Sequence, residues 1–359
     1  GWCLRDGSVT GCDHKKDGAG VTIRTSLDRY GERLFRLTEG AVVPQTAGKP
    51  TAGRKLPSSM AYELSEPNVL VLDIAKYYVD GAYAGENEIL KIDRALRDKF
   101  GLEYRGGAMI QPWFKEKYFG AATEKTVCRL TLEFEANVRD LPEGDVMLAM
   151  ETSDKFEVKL NGVAVDRRTC GNYVDNSVFC IRLPHGALHE GRNTLRLDCD
   201  YSDGLNLEAV YLLGDFGVSV KGHECTLTGL PGELDSRPLY EQGLPFYGGK
   251  IKLFTGIAGG VCKLKFPQIR GAYCEADFAK EKEIVAFAPY ETKTREVTGA
   301  LTCTLCLTRR NTFGPLHYVN TDGNKWYGPR EFVTEGQKFT LDYVFDDQGV
   351  DIPTVFFEE

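Results

Sequence analysis

The residues best equipped for chemistry lie late in the chain: Arg309-Arg310-Asn311, then Gly314-Pro315, His317, and Trp326-Tyr327. Guanidinium and amide groups bond hydroxyls in fixed directions, and an indole or phenol face packs against the C–H surface of a sugar ring. Trp113 and Tyr247 sit in comparable Gly- and Pro-containing stretches, Gln111-Pro112-Trp113 and Pro245-Phe246-Tyr247-Gly248-Gly249. Loops of that kind carry function on a rigid β scaffold. Seven residues are therefore the candidate carbohydrate contacts: Trp326, Tyr327, His317, Arg310, Asn311, Trp113 and Tyr247. The same aromatics would serve equally well to plug the ends of a sandwich, and the arginines to hold a carboxylate on an adjoining domain.

Other chemistries find less support. Cys303-Thr304-Leu305-Cys306 has metal-site spacing but lies in a strand pattern, where positions three apart point to opposite faces. His185 and His189 flank a glycine in a Pro-containing loop, and no H-E-x-x-H or G-x-S-x-G occurs. Glycoside hydrolysis needs two carboxyls in environments that split their pKa values, and no such pair stands out, so no catalytic residue is assigned. Glu208 in Asn206-Leu207-Glu208 interrupts an apolar context and reads as a structural hydrogen-bonding group. No cofactor is expected, although Asp200-Tyr201-Ser202-Asp203-Gly204 and Asn320-Thr321-Asp322-Gly323-Asn324 offer oxygens suited to a structural calcium.

The elements that must hold these residues are mostly strands. Cys128, Leu130, Leu132, Phe134, Ala136 and Val138 alternate with Arg129, Thr131, Glu133, Glu135 and Asn137, the pattern of a strand with one buried and one wet face. Leu195, Leu197, Cys199 and Tyr201 repeat that pattern, as do Phe339, Leu341, Tyr343 and Phe345. Asn161-Gly162 between apolar alternations predicts a tight hairpin. One helix is predicted over 86–100, opened by Glu86 and Glu88, with Ile89, Ile92, Leu96 and Phe100 at helical spacing and Gly101 as its stop. A weak repeat relates 191–214 to 299–317. Antiparallel sandwiches in tandem account for all of this, which makes the fold class all-β with minor helix.

With 359 residues the chain has room for two or three cores. A balance of 44 basic against 52 acidic residues, net −8, argues against a nucleic-acid or anionic-membrane partner, and no apolar run approaches the length of a membrane span. Eleven cysteines, mostly inside apolar alternations, read as unpaired thiols in a reducing cytoplasmic or anaerobic setting, and no signal peptide is recognisable. Five segments are expected. Residues 1–45 are the edge of a truncated upstream β domain, 46–111 a linker with a strand and connector helix, 112–220 and 221–345 two sandwiches, and 346–359 a tail.

Asn68-Val69-Leu70-Val71-Leu72-Asp73, Tyr77-Tyr78-Val79-Asp80-Gly81, Gly106-Gly107-Ala108-Met109-Ile110-Gln111-Pro112-Trp113, Leu207-Glu208-Ala209-Val210-Tyr211-Leu212-Leu213-Gly214-Asp215-Phe216-Gly217, Leu244-Pro245-Phe246-Tyr247-Gly248-Gly249 and Arg309-Arg310-Asn311-Thr312-Phe313-Gly314-Pro315-Leu316-His317 form an ordered series. The series resembles the sugar-binding sandwich region of family 2 glycoside hydrolases and the related rhamnosidase-like proteins of gut bacteria. The resemblance implies galactose-binding-like jelly-roll sandwiches and a (β/α)-barrel upstream that carries the catalytic carboxylates. This chain has no alternation of strands and helices to build that barrel. The resulting expectation is a non-catalytic carbohydrate-binding or substrate-positioning region of a larger glycoside hydrolase. Its rivals are a glycosidase whose active site is completed by the missing barrel, and an architectural spacer.

Overall fold

A computed structural model describes residues 11–18, 20–25, 34–37, 53–104, 117–118, 120, 125–319 and 339–358. The fold is all-β, with two sandwiches. In the first, an eight-stranded sheet is centred on Thr126–Val138, which pairs along its whole length with Gly191–Ser202. The opposite edge of Thr126–Val138 is shared between the hairpin Ile74–Val79/Ala82–Glu88 and the parallel strand Glu224–Thr228. The facing five-stranded sheet runs Thr169–Asn172, Val178–Arg182, Met147–Glu151, Val210–Gly214, Asn68–Leu72. The predicted alternation holds on Thr126–Val138: Cys128, Leu130, Leu132 and Phe134 are buried.

The second sandwich has a five-stranded sheet, Lys282–Val285, Tyr273–Asp277, Thr302–Cys306, Lys250–Phe254, Tyr62–Leu64, and a four-stranded sheet, Arg295–Val297, Gly260–Lys265, Thr354–Phe357, Gly53–Lys55. These pairings divide the chain at points other than those composition suggests. Gly53–Lys55 and Tyr62–Leu64, inside the segment expected to hold a linker, a strand and the connector helix, are edge strands of the second sandwich, and Thr354–Phe357, expected to be tail, lies inside one of its sheets. The first sandwich, 68–228, is thus inserted into the second. Backbone pairing decides this, because an extended segment next to an open sheet edge satisfies its N–H and C=O groups there.

Helix α1 (Ile89–Phe100) forms within the predicted 86–100, but its start is later, because Glu86 and Asn87 belong to strand Ala82–Glu88 and Glu88 is the cap. Both Glu88 carboxylate oxygens accept from the amides of Leu90 and Lys91, and Gly101, at φ 66°, takes the left-handed conformation that closes the helix. Ile89, Ile92 and Leu96 are buried on its inner face. Arg97 holds it to the sheet: its Nε donates to Asp93 at 2.7 Å and its Nη groups to the carbonyls of Glu103 and Leu205, while the Tyr201 hydroxyl donates to Asp93 at 2.8 Å. The Asn161-Gly162 hairpin also forms, with positive φ at both residues.

One expected strand is absent. Phe339, Leu341, Tyr343 and Phe345 alternate, yet this segment makes no ladder beyond a bridge at Phe339. The amides of Thr340, Tyr343 and Val344 bond instead to the carbonyls of His317, Gly222 and Leu316. The segment is a wedge, and the ring of Tyr343 stands 5.0 Å from Phe246 against the core of the first sandwich. Of the segment 1–45, the described part includes an exposed two-stranded hairpin, His14–Asp17 with Gly20–Ile23.

Candidate functional site

The outer face of the first sandwich's five-stranded sheet meets the chain that leaves strand Thr302–Cys306. Helix α2 (Arg310–Phe313) opens this junction. Arg309 forks onto Glu66, one Nη contacting Oε1 closely and the other donating to Oε2 at 2.6 Å, and its Nη1 also approaches the Tyr173 hydroxyl at 3.4 Å. A bidentate pair of this kind fixes the guanidinium plane. Tyr173, Tyr211 and Phe313 form an aromatic triangle with centroid separations of 5.7, 5.7 and 6.3 Å. Phe313 is 43% exposed and forms the open rim of the triangle. Burial pushes the Tyr211 phenol up, and the charges of Glu208, Asp73 and Glu151 push it the same way.

The tight approach is written into two glycines. A Cβ on Gly248 would lie 2.6 Å from the Thr312 hydroxyl and 2.8 Å from the Arg309 side chain, and one on Gly249 would strike the Tyr247 hydroxyl at 2.5 Å and the Glu66 carboxyl at 2.8 Å. Only glycine lets this loop lie so close to the arginine and its carboxylate.

Deeper in the junction is a sealed polar chain. His317 Nε2 lies 3.1 Å from Asp73 Oδ2, and the Tyr343 hydroxyl donates to Asp73 Oδ1 at 2.7 Å. Glu88, at the helix cap, stands close enough to this pair to act on the ring of His317 and to be acted on by it. Burial alone would discharge the ring of His317, but the Asp73 charge and hydrogen bond, with Glu88 and the Asp342 backbone, outweigh it and raise its pKa. Glu88 is pushed up to about 7, first by burial and then by the Asp73 charge, against the pull of the Leu90 and Lys91 amides and His317. His317, Asp73 and Glu88 are 1%, 5% and 3% exposed, so a ring-sized substrate has no route to them.

The residues expected from sequence to touch sugar separate into three groups. Trp113, Trp326 and Tyr327 lie outside the described residues. Asn311, His317 and Tyr247 face inward: Asn311 both donates to and accepts from the Asp346 backbone, while the Tyr247 hydroxyl accepts from the Ser65 amide and donates to the Lys250 carbonyl. Arg310 is partly exposed at the surface, its Nε 3.9 Å from Asp346. Sequence reasoning missed Glu66, Asp73, Tyr173, Tyr211 and Tyr343. The signals were slight, Glu66 and Asp73 being the acids that bracket the apolar run Val69-Leu70-Val71-Leu72.

Cys303 is buried in the core and Cys306 is only partly buried, as opposite strand faces require. At the first calcium candidate, Asp200 pairs with Arg129 and the Asp203 carboxylate accepts from the Lys125 amide. The second candidate lies outside the described residues. A further trough of about 300 Å³ opens on the eight-stranded sheet among Glu86, Glu133, Glu135, Asn137, Arg192 and His223. No Phe, Tyr or Trp is among the described residues that line it, and Glu135 is held by Lys76 and Arg192, whose hydrogen bonds keep its carboxyl below the usual range despite partial burial.

No family model matches the sequence, and no curated protein matches it. Among solved structures, similarity is found to a β-glucuronidase from Ruminococcus gnavus in complex with N1-substituted uronic isofagomine (11% identity, 70% of this chain and 42% of that chain, TM-score 0.25). A β-D-glucuronidase for Dictyoglomus thermophilum follows (11%, 66% and 38%, TM-score 0.22). So does a GH2 β-galacturonidase from Eisenbergiella tayi bound to glycerol (12%, 71% and 44%, TM-score 0.22). The chain spans about two fifths of the length of the first two structures.

Proposed function

We propose that this chain is a non-catalytic, substrate-positioning or carbohydrate-binding tandem-sandwich region of a larger glycoside hydrolase. The observation that carries this reading is the rim of the junction, where the Tyr173 ring lies between a guanidinium fixed by Glu66 and the exposed ring of Phe313, and the half-buried carboxylates Glu151 and Glu208 act on Tyr211. Fixed donors beside an apolar ring face are what a pyranose needs. Trp326, Tyr327, Trp113 and Arg310 are proposed as further contacts, while His317, Asn311 and Tyr247 support the platform from behind. The sequence resemblance to the sandwich region of family 2 enzymes supports the assignment to a parent hydrolase. The non-catalytic part rests on the burial of Glu88 and Asp351, the carboxyls whose pKa values are raised among the described residues.

A second reading, an architectural spacer, is favoured by the inward turn of Asn311, His317 and Tyr247, whose hydrogen-bonding groups serve the chain itself. A glycan array followed by calorimetry separates the two. On the binding reading a saccharide binds, and Phe313→Ala and Trp326→Ala each weaken it by about 1–3 kcal/mol, the worth of a stacking anchor, with little change in Tm for Trp326→Ala and a modest fall for Phe313→Ala, which also loses its contacts with Tyr173 and Tyr211. Absence of binding to any glycan would leave the spacer. Turnover of nitrophenyl glycosides by the isolated chain, abolished by one Asp or Glu substitution, would overturn the non-catalytic assignment.

A further inference from the structure

Several of the described cysteines approach one another. Most do so in geometries that bar a bond. Cys128 lies opposite Tyr201 and Cys199 opposite Leu130, so these two thiols are diagonal neighbours. Cys274 lies opposite Leu305 and Cys303 opposite Ala276, a diagonal again. Diagonal positions are about 7–8 Å apart, too far for the ~3.8 Å between Cβ atoms that a disulfide requires without moving interior strands.

Cys170 and Cys180 differ. Thr169 pairs with Ile181 and Asn172 with Phe179, so Cys170 and Gly171 together oppose Cys180 across a bulge. The Cys170 thiol reaches the Cys180 carbonyl at 3.5 Å, and Gly171, at φ 130°, gives the bulge a backbone freedom that other residues lack. Strand Thr169–Asn172 is the outermost of its sheet and exposed along its whole length, so it can shift toward its neighbour without disturbing the interior. Cys170 is exposed and Cys180 buried, which supplies one accessible thiol and one sheltered partner.

We propose that Cys170 and Cys180 are a reversible oxidation site that closes to a cross-strand disulfide in the folded protein, with a small thiol oxidant such as a low-molecular-weight disulfide as co-reactant. The Cys170 thiolate attacks the oxidant's S–S bond and expels one thiolate, leaving a mixed disulfide. The Cys180 thiolate then attacks the Cys170 sulfur and expels the second. The two protein sulfurs lose two electrons and two protons, and the oxidant becomes two thiols. The closed bond ties down the strand that leads directly into Tyr173, the ring beside Arg309 and Phe313.

Incubation with oxidised glutathione, followed by trapping of free thiols and peptide mapping, tests this. The expected product is a 170–180 cross-linked peptide that forms in wild type and in Cys199→Ser, is absent from Cys170→Ser, and is reversed by reduced glutathione. Protection of strand 169–172 from limited proteolysis should accompany it. Glutathione retained on Cys170 with no cross-link, or a different cysteine pair closing first, would overturn the proposal.

Discussion

Glu88 offers a direct test of the buried charge arrangement, through the substitution Glu88→Gln. The carboxyl is 3% exposed and its pKa stands at about 7 against an ordinary 4.5. A folded-state value above the unfolded one means that the native protein binds the proton more tightly. The associated stability is therefore fully present below about pH 4.5 and is lost as pH rises through about 7. A shift of this size at ~1.4 kcal/mol per unit amounts to roughly 3 kcal/mol. His317, also raised, contributes with the same sign, its share present below about 6.5 and lost above its own raised value. Glutamine keeps one carbonyl oxygen for the helix cap and forfeits the other, a loss of about 1 kcal/mol, but it has no charge to desolvate. Urea unfolding of both proteins should therefore show curves that cross. Glu88→Gln should be less stable by ~1 kcal/mol at pH 4.5 and more stable by about 2 kcal/mol at pH 8. The comparison cancels the surface carboxylates such as Glu135, whose lowered values act in the opposite direction. A variant weaker by the same margin at both pH values would show that Glu88 is an ordinary ionised cap and refute the reasoning.

Three further outcomes are expected. Gly248→Ala, which drives a methyl against Thr312 and Arg309, should destabilise by about 1–3 kcal/mol in thermal melts, whereas Gly232→Ala, with open space around it, should not. Tyr201→Phe removes the hydroxyl that donates to buried Asp93 and should lose about 1–2 kcal/mol, read from the urea midpoint, with Arg97 still holding the carboxylate. Protein purified without added oxidant and then denatured unreduced should titrate close to eleven thiols, and two or more native disulfides by mass spectrometry would contradict the reading of the cysteines as packed thiols.

Elements were legible where one face is wet and illegible where both are dry or where pairing is remote. Thr126–Val138 and Gly191–Ser202 advertise themselves because Arg, Glu and Asp alternate with apolar residues on a solvated sheet. Asn68–Leu72 is buried at every position and so has no period to read. The insertion of one sandwich into the other was invisible for another reason. It depends on Tyr62–Leu64 meeting Lys250–Phe254 and Gly53–Lys55 meeting Thr354–Phe357, and nothing local in those short strands specifies a partner. The alternation at Phe339, Leu341, Tyr343 and Phe345 misled because two-residue periodicity reports only that alternate side chains are sheltered. A wedge between packed bodies shelters them as well as a sheet does.

The same distinction governs the candidate site. Arg309, Asn311 and His317 have the right chemistry to bind a ligand, but a polar group in a loop is equally ready to bind its own chain, and the choice is made by what the fold brings opposite. Arg309 meets Glu66 across 243 positions and His317 meets Asp73 across 244. Both acids flank the apolar strand Asn68–Leu72, Glu66 just before it and Asp73 just after it. Once that strand is locked in the sheet by its pairing with Val210–Gly214, each acid emerges at a fixed place beneath the loop that follows Thr302–Cys306. A carboxylate leaving a buried strand needs a cation or donors nearby to offset its desolvation, and Arg309 and His317 supply this. Their hydrogen bonds are made inside the junction, which leaves, among the described residues of this loop, the exposed ring of Phe313 and the partly exposed Arg310 for an external partner.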